Sequence, residues 1–407
     1  MSGALSHLKI LDLSRILAGP WASQQLADLG ADVIKVERPE AGDDTRSWGP
    51  PFLKDAEGRE TKDSAYYLCC NRNKRSVTID LTQPEGQELV RSLAAKSDVL
   101  IENFKVGGLQ QYGLDYENVH KLNPRLVYCS ITGFGQTGPY APRAGYDFLI
   151  QGQGGLMSVT GRRDEEEGAG PLKVGVALTD ILTGLHASTA ILAALAHRDI
   201  SGVGQQIDLS LLDVQIACLA NQAMNYLYTG VSPGRMGNAH PNIVPYQDFP
   251  TADGDIILAI GNDGQFTKFC ATAGHPEWSS DPRYATSAAR VINRATLIPA
   301  MRKVTLTRTT AEWIKSFESV GVPCGPINTV AQVFEDPHVK ARGARITVPH
   351  PVAGDIPLVA NPIRLSGTPV EYRLAPPMLG EHTNEVLRAV LGLDDARIED
   401  LHNRKIV

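Results

Sequence analysis

A carboxylate in apolar company is the first residue with chemical promise. Asp180, in GVALTDILTG, stands among hydrophobic residues at the start of a helix-like run. A partly desolvated Asp can attack an acyl carbon and split one difficult transfer into two covalent steps. It can also cap the helix by accepting first-turn amides, and the positive end of a helix suits an anion in either role. Both readings stay open. A second signal is the dense run Asn71-Arg72-Asn73-Lys74-Arg75, with Arg38 closing an earlier strand. Cations and amides at the ends of parallel strands can grip phosphate, or can simply face water. A third is Ile260-Gly261-Asn262-Asp263-Gly264-Gln265 after a strand-like segment. Its glycines permit positive φ and exposed amides, so it can offer an oxyanion donor or a cover, although a plain strand-to-helix turn fits equally. Trp48, the Tyr146-Asp147 pair and His240 in GNAHPN suit a cleft, each with a packing or loop role as its alternative.

The usual phosphate cradles are missing. No GxxxxGK[ST] occurs and no GxGxxG follows the first strand, so an anion would have to be held by side chains. Of six cysteines only Cys69 and Cys70 are neighbours, and ten histidines form no HExxH, so a metal-free site is expected.

These residues need a scaffold, and the apolar runs describe one. Strands at 8–13, 33–37, 76–81, 98–102, 126–131 and 206–211 alternate with helices at 18–29 and 84–96 and a long buried helix at 180–198. That order is the βαβ arrangement of a parallel α/β sheet. A second long helix is expected at 212–228. Between 229 and 246 the composition shifts to Gly, Pro, Asn and His, which marks a connection to a second domain. There a strand at 255–260 precedes helices after 264 and near 290–304 and 310–320, and strands near 344–359 are followed by a short helix at 383–391.

The chain has 407 residues, 43% apolar and 21% charged, enough for two or three cores at roughly 150 residues each. A formal charge of −6 argues against a nucleic-acid or anionic-membrane partner. No apolar run reaching the roughly 20 residues of a membrane span stands out, and no leader is visible, so a cytoplasmic protein is expected.

Several segments carry a joint order that is far more specific than any one of them: LDLSRILAGPWASQQLADLGADVIKVERPEAGDDTR, CCNRNKRSVTIDL, SDVLIENF, SITGFGQTGPYAPRAGYD, VGVALTDILTGLHASTAILAAL, GQQIDLSLLD, GNAHPNIVPYQDF, GVPCGPINTV and PMLGEHTNEVL. Together they resemble the class III CoA-transferase family, also called the formyl-CoA or carnitine CoA-transferase family, over nearly the whole chain. The resemblance implies an open Rossmann-like large domain (1–228), a linker and smaller α/β domain (229–330), and a chain return (331–407) that completes both. It also implies an interlocked homodimer. Asp180 matches the family's catalytic aspartate; Arg38, Asn71, Lys74, Arg75, Asn103 and Phe104 fall in its CoA-contacting segments. Gly261 and Gly264 fall in its glycine-rich loop, here GNDGQ and not a run of glycines. No cofactor is bound permanently; coenzyme A enters as the thioester co-substrate, with acyl-CoA and free carboxylic acids as partners.

The implied reaction passes the acyl group and then CoA through Asp180, by an aspartyl anhydride and an aspartyl thioester. Leu17 and Gln111 stand where formyl-CoA transferase has glutamine and arginine, which turns the expectation away from formyl transfer. The pattern looks closest to the succinyl-CoA:glutarate or hydroxymethylglutarate branch, with Arg15, Arg143 and His240 as cations for a remote carboxylate and Leu17, Trp48 and Tyr146 lining the acyl site. The alternatives are another carboxylate acceptor (oxalate, malate or carnitine type), an α-methylacyl-CoA racemase, whose histidine would fall at Tyr146, and a CoA-binding protein without catalysis.

Overall fold

The computed structural model describes residues 3–407. Six short strands form the central sheet: β1 (Lys9–Asp12), β2 (Asp32–Glu37), β3 (Lys74–Thr78), β4 (Val99–Glu102) and β5 (Val127–Thr132), all mostly buried, and the more exposed β6 (Gln206–Ser210). Strands this apolar need cover on both faces, which is the setting of parallel sheets. They pair in parallel in the order β3-β2-β1-β4-β5-β6. With the strands numbered in sequence this is 3-2-1-4-5-6, the doubly wound order.

The two-residue period of a strand sorts side chains onto two cores. Ile10, Val33, Val99, Ile101 and Val127 face helices α1 (Ala18–Asp28) and α4 (Leu178–Ser201), through Ala22, Leu26, Ala187 and Ile191. Leu11, Ile34, Leu100 and Tyr128 face the other way, against Val90 and Leu93 of α2 (Pro84–Ala94). Val386 and Leu387 of α8 (Thr383–Ala389), Leu401 and Val407 complete that second core. Helices α1 and α4 approach closely because position 184 has no side chain; a Cβ there would lie 2.7 Å from the Ala18 carbonyl oxygen.

This large unit is discontinuous: the segment ending at Leu156, Lys173–Tyr228 and Lys340–Val407. The small unit takes Met157–Leu172 and Thr229–Val339. The change at 229 lies where composition shifts. The return begins at 340 and not 331, and residues 157–172, expected in the large domain, belong to the small unit. Its core joins an antiparallel sheet of β7 (Tyr246–Pro250), β8 (Asp255–Ala259) and β9 (Cys324–Pro326) to helix α7 (Asp263–Thr272), through Phe249, Leu258, Phe266 and Phe269.

Two expectations are corrected. The helix expected at 212–228 is two, α5 (Leu211–Ala217) and α6 (Ala220–Thr229), broken where Ala220 adopts φ 46°. No Gly or Pro announces that break. Helix α4 spans 24 residues and is long and apolar enough to cross a membrane by length and composition, contrary to the sequence reading. Its apolar character has a simpler cause here, since it packs against α1 and the same face of the sheet.

Candidate active site

Between β1 and β4 the strand order reverses, and chains leaving the sheet in opposite directions open a crevice at its carboxyl edge. Two adjoining cavities lie there. One of about 260 Å3 is lined by Arg38, Ile79, Leu81, Phe104 and Tyr112 among others. The other, about 150 Å3, is lined by Arg15, Leu17, Lys105, Arg143, Tyr146 and Asp180 among others. Arg15 and Phe104 line both, so the cavity of Asp180 adjoins a partly aromatic pocket of mixed charge, where Arg38 is exposed.

The turn leaving β1 is fixed at three successive residues. Lys35 Nζ donates to the Ser14 carbonyl (2.7 Å), the Asn103 carboxamide pairs with both N and O of Arg15 (2.9 and 2.7 Å), and Asp43 Oδ1 accepts from Ile16 N (3.2 Å). Ile16 sits at φ 73°, a rare conformation for a β-branched residue. Those hydrogen bonds hold it there and deliver Leu17 and Ala18, at a helix start without a side-chain cap, to the cavity of Asp180.

Asp180 does not cap α4. The N-cap is Ala177, and Oδ1 of Asp147, on helix α3 (Asp147–Gln153), accepts from Thr179 N (2.8 Å) and Asp180 N (3.3 Å). The Asp180 carboxylate is thereby free for other work. It is only 8% exposed. Burial, then the nearby charge of Asp147, push its acidity to about 7. A carboxylate so placed is poorly solvated and correspondingly nucleophilic when ionised.

The basic run does not grip an anion with its side chains. Lys74 is 0% exposed and donates to Asp12 Oδ2 (3.2 Å), the Pro20 carbonyl (2.9 Å) and Asn71 Oδ1 (2.9 Å). Asn71 is buried and also donates to the Tyr67 carbonyl (2.9 Å). Arg72 pairs with Asp28 (2.6 Å), and Arg75 with Asp32 (2.6 Å) and Glu385 (3.0 Å). Asn71, Lys74 and Arg75 are therefore corrected from ligand-gripping side chains to internal ties: burial makes the Lys74 charge find a protein partner, Asn71 is buried beside it, and the partly buried Arg75 is held by two acids. Arg38 is different: it is exposed in the larger cavity, and among the described residues no ion pair occupies its guanidinium.

Arg143 lies against the rings of Tyr140 and Phe134 (4.5 and 5.1 Å to the centroids) and lines the Asp180 cavity with no acid beside it among the described residues. Arg15 reaches the same cavity but is paired with Asp44 (2.6 Å). Tyr146 is 61% exposed at the cavity mouth. Trp48 stands edge-on to Tyr66 (5.3 Å), outside the lining of either cavity.

Three expected residues belong to the small unit. His240 is corrected as a cation: burial and then Arg294 lower its pKa and disfavour the charged ring, and Nδ1 accepts from Asn242 N (3.1 Å), so the ring braces its own loop. Neither Gly261 nor Gly264 has positive φ. Asn262 caps α7 by accepting from Gln265 N (2.9 Å), while Gly261 N donates to Gln265 Oε1 (2.8 Å), so in this state that amide is already used.

Sequence reasoning missed Lys105 and Tyr66. Lys105 directly follows Asn103 and Phe104 at the end of β4, and its place after a strand that reaches the crevice was the available signal. Burial and then the charge of Asp180 raise the pKa of Tyr66, making its hydroxyl harder to ionise; nothing in its local sequence marks that.

A doubly wound sheet with a crevice that holds a buried carboxylate, unpaired among the described residues, suits a group-transfer enzyme with a covalent carrier. Residues 5–383 match the profile of CoA-transferase family III, and the chain belongs to that family. It is 53% identical over 383 residues, 94% of both chains, to a succinate–glutarate CoA-transferase of Agrobacterium fabrum. It is 44% identical to the human succinyl-CoA:glutarate CoA-transferase, over 99% of this chain and 90% of that one. A CAIB/BAIF family protein from Brucella suis superposes with a TM-score of 0.83 at 52% identity, covering 96% of this chain and all of that one.

Proposed function

We propose that this enzyme moves CoA from succinyl-CoA to glutarate, with Asp180 as covalent carrier. The observation that carries the reading is a buried carboxylate free of hydrogen-bonding duty, in one cavity with the exposed cations Arg143 and Lys105. The substrate names follow those of the relatives at 53% and 44% identity.

In this reading Arg38 meets the phosphates of CoA, while Ile79, Leu81, Phe104 and Tyr112 wall its apolar parts. An oxygen of Asp180 attacks the thioester carbon of succinyl-CoA; a C–O bond forms, the C–S bond breaks, and CoA leaves as thiolate. The thiolate then attacks the Asp180 carbonyl, expelling succinate and leaving an aspartyl thioester. A glutarate carboxylate attacks that thioester and releases the thiolate again. The thiolate finally attacks the glutaryl carbonyl of the new anhydride, giving glutaryl-CoA and free Asp180. Each thioester replaces another, so no phosphate donor is consumed. Arg143 and Lys105 hold the remote carboxylate, so that the opposite end of the acid faces Asp180.

The cavity's lining contains no histidine. With Tyr146 in that wall, racemisation lacks an imidazole base of pKa about 6.5. A second copy of the chain fits the exposed apolar residues Leu185 and Leu192 on α4 and Leu227 and Tyr228 on α6; we read the active form as a homodimer.

The test is borohydride quenching during turnover, followed by peptide mapping. Reduction of an aspartyl thioester at position 180 to a homoserine supports the carrier; an unmodified Asp180 under turnover rejects it. A matrix of donor and acceptor acids then reads the substrates, and equal rates with glutarate and with monocarboxylates would reject the dicarboxylate assignment.

A further inference from the structure

Glu102 ends β4 one residue before Asn103, and it is buried with no cation beside it among the described residues. Burial raises its pKa to about 7, only partly offset by the Ser130 hydroxyl and the Phe104 amide. A buried acid without a counter-charge is a burden on the fold unless it positions something. Both of its oxygens have a fixed task. Oε2 accepts from Phe104 N (2.8 Å), and Oε1 takes the hydroxyl of Ser130 on β5. Ser130 Oγ accepts in turn from Gln136 Nε2 (2.7 Å), and Gln136 N donates to Asp208 on β6 (3.0 Å). The relay therefore links three neighbouring strands at the register of Glu102, Ser130 and Asp208 and stops at the Phe104 amide.

What it holds is the wall between the cavities. Phe104 lines both, Asn103 clamps Arg15 through two backbone hydrogen bonds, and Lys105 enters the cavity of Asp180. We propose that Glu102 is a positioning residue for CoA transfer, one that sets the Asn103-Phe104-Lys105 turn so that the thioester site is preformed before CoA arrives. The inference rests on the CoA reading above. A wall already in place spares the ligand the ordering of that turn. Loss of Glu102 should therefore weaken thioester binding more than it slows the covalent steps at Asp180.

Calorimetry with free CoA and steady-state kinetics with succinyl-CoA, on the full chain, test this with three variants. Glu102→Ala removes the acceptor of the Phe104 amide and should raise Kd and KM by about tenfold, while kcat changes by less than about threefold. Glu102→Gln keeps an acceptor of the same shape and should return both constants to within about threefold of the unaltered enzyme. Ser130→Ala breaks the relay one step further away and should give an intermediate rise. If Glu102→Ala does not fold, the same ordering of Glu102→Gln and Ser130→Ala carries the test. Variants that lose thermal stability with Kd and KM unchanged would make Glu102 merely structural and overturn the proposal. Absence of CoA binding by the unaltered chain would instead overturn the CoA reading itself.

Discussion

Two groups of positive charge lie within one fold and have opposite fates. Lys35, Lys74 and Arg72 are buried, and each meets an acid: Asp43, Asp12 and Asp28. Arg38, Lys105 and Arg143 are exposed at the two cavities, with no acid beside them among the described residues. Burial pushes Asp12 up, but Lys74 and Lys35 together win and hold it below the usual carboxylate range. The lesson concerns cost. A cation removed from water must be compensated by the protein itself and has nothing left for a ligand, whereas one left in water can exchange hydration for phosphate or carboxylate. Density of charge in the sequence therefore misled, and accessibility decided.

Asp180 is the exception that sharpens the contrast, a buried acid without a cation partner among the described residues. Asp180→Asn should lower turnover by about 10^3-fold or more while CoA still binds. It should also stabilise the fold at pH 8. An acid lifted to about 7 in the native state holds its proton between pH 4 and 7 while the unfolded chain has lost it, so its contribution to stability falls as pH rises through that window. Removing the ionisable group should raise Tm at pH 8, by a gain of about 1–4 kcal/mol, and the gain should vanish as pH approaches 4. A lower Tm at pH 8 would break the comparison.

Lys74→Ala tests the paired group. It strands Asp12 and should destabilise the protein by about 3–5 kcal/mol in denaturant titrations, with CoA affinity of the folded protein unchanged. Weakened CoA binding at unaltered stability would place Lys74 with the ligand-facing cations after all. Arg38→Ala tests the exposed group and should show the reverse, about tenfold weaker CoA binding with Tm moved by no more than about 1 °C. The smallest effect is expected from Arg143→Ala. KM for glutarate should rise about fivefold while KM for a monocarboxylate acceptor stays put; equal rises for both would remove Arg143 from the remote carboxylate.

Much of the scaffold was legible because apolar runs and their punctuation are local. β1, β2, β4 and β5 lie within a residue or two of the expected limits, since strands covered on both faces read as short apolar blocks. Asp180 was legible as a carboxylate out of place. Its competing role as a cap was not decidable, because the residue that caps α4 in its stead, Asp147, stands 33 positions earlier. The partners of the basic run were hidden for the same reason: Asp12 and Asp28 lie 62 and 44 positions from Lys74 and Arg72 and meet them only once the sheet has formed. Lys105 escaped notice because a single lysine beside a strand end carries no pattern of its own.

The second core of the large unit is finished by Val386, Leu387 and Leu401. During synthesis, the strands that those residues cover emerge early and their lid emerges late, with the entire small unit translated in between. At roughly 5–20 residues per second the wait lasts on the order of ten seconds or more. For that interval the face already packed against Val90 and Leu93 waits for its last apolar cover, so the large unit's second core closes only after the whole chain has been made.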